Sequence, residues 1–342
     1  MKTKVIYIDE KNIESPGETD KLREAAEAIK VGGLVVFPTE TVYGLGANAL
    51  DAHAVQKIYE AKGRPFDNPL IVHVAEPGDI YRYAELPGLA GEIMARFLPG
   101  PLTLVLKKKG HELDACCKLD TVAIRVPANK TARKLIALSG VPVAAPSANL
   151  SGKPSHTDPA YIVKDLEGRA DVVVCGENCE IGLESTVVSF DPDGSLNILR
   201  TGAITREMLS GYGIREAAPK GEEPPRSPGM KYTHYSPEAP LYILSGSEEK
   251  IVDFVKGELR QKRAGFLCFD ELLGYFEKGD NIVPFGPRGD LAAQAKNLFG
   301  ALNRFDALGV EAIYAPKPEN TGIGEAVCDR LMKASGGKVI TL

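Results

Sequence analysis

The chain has 342 residues, 44% hydrophobic and 25% charged, too long for one typical core and ordinary for a folded globular protein, so two domains are expected. A formal net charge of −5 argues against nucleic-acid binding by bulk electrostatics, and neither part is basic: residues 1–215 hold 25 Lys and Arg against 28 Asp and Glu, and residues 216–342 hold 16 against 18. No segment approaches the roughly 20 apolar residues of a membrane span, none reads as a signal peptide, and six scattered cysteines, with one C-x3-C at Cys175 and Cys179, give poor zinc spacing, so reduced thiols in the cytoplasm are expected.

In chain order, "KVIYID" and "GLVVFPT" read as strands, and "TDKLREAAEAIKVGG" between them as a helix capped by Thr19 or Asp20 and stopped by Gly32 and Gly33. Asp51 is a good N-cap for "AHAVQKIYEAKG", which ends at Gly63 and leaves Lys62 and Arg64 at the helix end and the loop beyond. "LIVHVA", "LTLVLKK", "TVAIRVP", "VPVAAPS", "DVVVCG", "STVVSF" and "LNILR" are further strands, with helices around 89–97, 130–139 and 158–168. These predict a mixed α/β domain over residues 1–215.

Between Arg215 and Pro237, five prolines and two glycines interrupt all apolar periodicity, the composition of a linker over 216–237. Met230, Tyr232, His234 and Tyr235 within it are more than a spacer needs, which suggests a lid folding over the first domain. From 238 to 342, strands "PLYILSG", "AGFLCFD", "NIVPFG", "EAIYAP" and "KVITL" alternate with helical stretches, predicting a smaller, parallel, doubly wound, Rossmann-like domain. It has no G-x-G-x-x-G after its first strand, and the chain has no Walker loop, H-E-x-x-H or G-x-S-x-G.

Chemistry must then come from polar residues at strand ends. "FPTETVYGLGAN" offers Thr39, Glu40 and Thr41 with two glycines that would let backbone approach a ligand. "KGRPFDNP" offers two cations, "APSANLSGKPS" offers Ser147, Asn149, Ser151, Lys153 and Ser155, and "GLESTVVS" offers Ser185 and Thr186. Each stretch alone could be capping or turn chemistry. Recurring after several strands of one sheet, they predict a crevice for a phosphorylated or carboxylated small molecule, since cations, hydroxyls and amides bind such anions by charge-assisted hydrogen bonds.

The stretches "PTETVYGLG", "KGRPFDNPLIVH", "TVAIRVP" and "APSANLSGKPS" resemble the signatures of the YrdC-like threonylcarbamoyl-AMP synthase family, including its Lys-x-Arg and Ser-x-Asn pairs, and "SPGMKYTHYSP" before a second α/β domain resembles its longer members. The resemblance spans essentially the whole chain. It implies a YrdC-like twisted α/β domain with a central groove and a nucleotidyltransferase that converts L-threonine, bicarbonate and ATP into threonylcarbamoyl-AMP and pyrophosphate, for threonylcarbamoyladenosine modification of tRNA. It assigns Thr41, His73, Arg125, Ser147 and Ser185 to threonine. To the nucleotide it assigns Arg64, Asn68, Thr121, Ala145 through its backbone, Asn149, Ser155, Arg200, His234 and Tyr235. Lys62 and Arg64 would be the catalytic cations, and Mg²⁺ would arrive on the ATP phosphates without direct protein ligands. Partners would be the three substrates and the downstream tRNA threonylcarbamoyl transfer machinery, with no membrane and no strong direct nucleic-acid binding.

Two other readings are an RNA-binding protein using the groove without catalysis and a carbamoyl transferase using carbamoyl phosphate. The first domain's charge counts against the former, and the cysteine spacing against the latter. Alanine at Lys62 or Arg64 is expected to lower turnover with the fold intact, because a loop beyond a helix end adds little to a core.

Overall fold

In a computed structural model, which describes residues 2–191, 193–215 and 235–342, the chain forms two compact units. Unit 1 contains residues 2–151, 156–180, 184–191 and 193–215; unit 2 contains 152–155, 181–183 and 235–342. Most of the expected linker, His234 included, lies outside the described residues.

Unit 1 runs β1 (Lys4–Tyr7), α1 (Pro16–Lys30), β2 (Val35–Phe37), β3 (Gly44–Asn48), α2 (Ala52–Lys62), β4 (Ile71–His73), α3 (Ile80–Tyr83), α4 (Gly88–Phe97) and β5 (Leu102–Lys107). It continues with β6 (Thr121–Arg125), α5 (Lys130–Ser139), β7 (Val143–Ala144), α6 (Pro159–Leu166), β8 (Val172–Cys175), β9 (Thr186–Phe190), β10 (Leu196–Arg200), α7 (Arg206–Leu209) and β11 (Ile214–Arg215). The strands form one mixed sheet in the order β1-β8-β2-β3-β7-β4-β6-β5-β9-β10-β11.

The helix ends follow from local chemistry. Asp51 accepts from the His53 and Ala54 amides to start α2, and Gly63, at φ 61°, ends it in the left-handed conformation that favours glycine. α1 begins earlier than expected: Ser15 caps it and Pro16 fills its first turn, where a missing N–H costs nothing, so Thr19 and Asp20 are interior. Its buried residues Leu22, Ala25, Ala26 and Ile29 make one face at helical spacing.

β3 forms at "GLGAN", which was not among the expected strands, and its glycines serve packing. A Cβ on Gly46 would lie 2.6 Å from the Phe37 ring and 2.7 Å from Val143, and one on Gly44 3.2 Å from Phe37. They make room for an aromatic ring on the neighbouring strand.

Alternation along the strands sorts side chains to two faces. One face carries the principal core, with Val36, Leu45, Val72, Leu104, Ile124 and Val188 against α2, α4 and α6. On the other face, Val35, Phe37, Val143 and Val174 pack with residues of α1 and α5. Further along that second face, β4, β5, β6, β9 and β10 contribute only a small cluster, Ile71, Val105, Ala123 and Val187 with Leu199. Positions two residues from these are polar: His73, Thr103, Arg125 and Ser185.

Unit 2 has five parallel strands, β12 (Leu241–Ser245), β13 (Ala264–Phe269), β14 (Asn281–Gly286), β15 (Ala312–Pro316) and β16 (Val339–Thr341), ordered β14-β13-β15-β12-β16. Helices α8 (Glu248–Gln261), α9 (Leu291–Leu308) and α10 (Gly324–Ser335) lie between them in sequence. The expected parallel α/β domain is present, with β15 between β13 and β12. Pro284 sits in β14, an edge strand, where its missing donor is tolerated. Among the described residues no helix is long and apolar enough to cross a membrane, and all six cysteines are free thiols.

Candidate active site

His73 ends β4 and Arg125 ends β6, paired in parallel register, so both emerge side by side at one edge of the sheet. Arg125 is 4% exposed. Its Nη1 donates to Thr41 Oγ1 at 2.9 Å, its Nη2 to Glu40 Oε1 at 2.6 Å, and its Nε to the Gly100 carbonyl at 3.3 Å. Thr41 is itself set by Thr39, whose hydroxyl lies 2.8 Å away and donates to the Val42 carbonyl at 2.6 Å. His73 stands edge-on to Phe37, and its buried Nδ1 has no hydrogen-bond partner among the described residues. Burial, reinforced by the Arg125 charge, lowers its pKa to about 3, so the ring is neutral at physiological pH.

Ser185 precedes β9 on the same face. Its hydroxyl lies 2.7 Å from Thr103 Oγ1, and Arg200 donates to its carbonyl at 3.0 Å and to its hydroxyl at 3.1 Å. Simple alternation would place Arg200 with Leu196 and Ile198, which pack on the principal core. A register shift between Ile198 and Arg200 breaks that alternation and lets the guanidinium reach Ser185.

The paired cations meet the Ser-x-Asn loop. Lys62, 3% exposed, donates through Nζ to the carbonyls of Ser147 and Asn149, while Ser147 Oγ donates to Asn149 Oδ1 at 2.5 Å. Burial and the nearby Arg64 charge push the Lys62 pKa well below its ordinary value, opposed by Glu184. Arg64 donates to the carbonyls of Asn68 at 3.3 Å and Pro69 at 3.0 Å, fixing the turn that leads into β4. Ala145 follows β7 with its amide on the Ile71 carbonyl, and Thr121 opens β6.

The structure therefore joins Thr41 with Arg125, Ser185 with Arg200, Lys62 with Ser147 and Asn149, and Arg64 with Asn68. Ser155 belongs to unit 2, where it is fully buried and its carbonyl accepts from Asn303. Tyr235 is also in unit 2, its ring 5.2 Å from Phe299 and beneath the Arg330 guanidinium. Sequence reasoning offered Glu40 among the polar residues at strand ends but assigned it no partner, and it did not single out Thr103. Their function shows only in their partners, Arg125 and Ser185, distant in the chain.

A mixed-sheet domain whose strand ends gather buried cations, hydroxyls and amides, followed by a parallel α/β domain, is the architecture of a catalytic unit with an appended module. The Sua5, YciO and YrdC family model, described as telomere recombination, matches residues 27–202, and one described as threonylcarbamoyl-AMP synthase, C-terminal domain, matches residues 204–336. The threonylcarbamoyl-AMP synthase of Bacillus subtilis is 45% identical over 352 residues, covering 99% of this chain and 100% of its own. That of Pyrococcus abyssi is 41% identical over 340 residues, covering 96% and 98%. The crystal structure of P. abyssi Sua5 complexed with L-threonine aligns with a TM-score of 0.88 at 39% identity, covering 99% of this chain and 100% of that one. The chain belongs to the two-domain, Sua5-type threonylcarbamoyl-AMP synthases, nucleotidyltransferases of tRNA threonylcarbamoyladenosine biosynthesis.

Proposed function

We propose that the polar half-face of unit 1 joins L-threonine, bicarbonate and ATP, and that the observation carrying this assignment is the buried Arg125 guanidinium held beside Thr41 and a neutral His73. A planar fork suits the threonine carboxylate, and Thr41, Ser147 and Ser185 supply hydroxyls around it. With a pKa of about 3, His73 is a poor proton acceptor at neutral pH and serves as an uncharged hydrogen-bonding partner for bound threonine.

The neutral amine of threonine adds to carbon dioxide with loss of a proton to solvent, or to bicarbonate with loss of water, to give a carbamate. Its oxygen attacks the α-phosphorus of ATP, the bond to the β-phosphate oxygen breaks, and pyrophosphate leaves. Carbamate and triphosphate are both anionic; Arg64 offsets their repulsion and stabilises charge developing on phosphorus, and Lys62 does so in its protonated form, which the substrates' negative charge favours against the burial that lowers its pKa. Arg64, Asn68, Thr121, Asn149, Arg200 and the Ala145 backbone hold the nucleotide in this reading. The groove's donors are cations, amides and hydroxyls, which suit phosphate oxygens, so Mg²⁺ would be carried on the ATP phosphates, where it would supply further charge neutralisation. The product passes to a tRNA threonylcarbamoyl transfer machinery in the cytoplasm.

The test is pyrophosphate release from ATP with threonine and bicarbonate omitted in turn. Release should require both, and serine should be the weaker substrate by about 1 to 3 kcal/mol for the missing methyl. Equal release without threonine would indicate a plain ATPase.

A further inference from the structure

We infer that Glu40 is a positioning residue for threonine recognition, acting through Arg125. This rests on the reading that Arg125 binds the threonine carboxylate. A guanidinium has five N–H donors. In Arg125, Nε is taken by Gly100, one hydrogen of Nη1 by Thr41 and one of Nη2 by Glu40. Among the described residues no partner takes the second N–H of either terminal nitrogen, which leaves two donors for the two oxygens of a carboxylate.

Glu40 is suited to this task by its own restraint. It is 5% exposed, and while Oε1 accepts from Arg125, Oε2 accepts from the Asn129 amide at 3.3 Å. Asn129 caps α5 through its side chain, on the Ala132 amide at 2.9 Å, so the carboxylate is tied to the start of a helix. Away from Arg125, Glu40 lines a cavity of about 290 Å³ with Glu10, Asn129 and Thr131. The pair also sets the charge of the pocket. With Glu40 opposite it, Arg125 contributes a directed fork without adding net positive charge where the substrate amine must react.

The experiment measures KM for threonine and for ATP, with calorimetric titration of threonine, on the full chain and its variants. Glu40→Ala should raise the threonine KM about tenfold or more, the effect of losing the alignment of a charge-assisted pair, with the ATP KM within about twofold. Glu40→Gln keeps the shape and one acceptor, and should raise the threonine KM about threefold with ATP again unaffected; it decides the matter if the alanine variant does not fold. An unchanged threonine KM in a folded Glu40→Gln protein, or an equal rise for both substrates, overturns the inference. Arg125→Lys separates the two levels: it removes the fork and should weaken threonine strongly. If it does not, the carboxylate reading itself has failed; if it does while the Glu40 variants behave as wild type, only the positioning role has failed.

Discussion

Lys62 and Ser147 are joined across the fold: the ammonium at the end of α2 donates to the Ser147 carbonyl at 2.5 Å and also holds that of Asn149. The Lys-x-Arg and Ser-x-Asn stretches thus form one structural element.

Lys62→Ala and Arg64→Ala should each lower turnover about tenfold or more, as loss of charge stabilisation at phosphorus requires. Lys62→Ala should also lower the melting temperature, because it frees two carbonyls from a buried donor. The sequence alone leads to the expectation of an untouched fold; the burial of Lys62 and its two carbonyl partners lead to this different one. A lowered melt with wild-type turnover would confine Lys62 to a structural role.

Stability should depend on pH through His73. Its folded pKa of about 3 lies below the ordinary 6.5, so the unfolded chain takes up a proton first as pH falls. The neutral ring's contribution is complete above 6.5 and is lost toward 3, with a limiting slope of about 1.4 kcal/mol per pH unit. Denaturant titrations followed by far-ultraviolet circular dichroism, comparing wild type with His73→Gln, should diverge as pH falls. Parallel curves would refute the shift.

Ser185→Ala removes the hydroxyl between Thr103 and Arg200, all three residues being buried. A loss of about 1 to 3 kcal/mol in stability is expected, together with weaker threonine binding. Calorimetry can read both quantities on one sample.

Gly46→Ala distinguishes packing from ligand approach. The added methyl meets Phe37 and Val143 well inside contact distance, and overpacking of this kind costs about 1 to 3 kcal/mol. An unchanged melt with a raised ATP KM would return Gly46 to the ligand role its sequence suggests.

Much of the fold was legible because its signals are local. Asp51 and Gly63 delimit α2 by capping chemistry, and β-branched runs mark most strands. β3 was not, because "GLGAN" has turn composition and becomes a strand only where Phe37 demands the space. For the candidate site, the sequence supplied residue types and the resemblance their grouping. The bulge before Arg200 and the Glu40–Arg125 pair depend on register and on partners some 85 positions apart, which no local pattern encodes.

The second face of the sheet in unit 1 has an evolutionary consequence. Ile71, Val105, Ala123 and Val187 form a patch separate from the principal core, and each shares its face with His73, Thr103, Arg125 or Ser185 two positions along its strand. Neighbouring codons in these strands therefore answer to different selective pressures. A library confined to those four positions would remodel the volume beside the polar residues while the packing under α2 and α4 keeps its residues, giving drift in amino-acid preference a route that does not pass through unfolding.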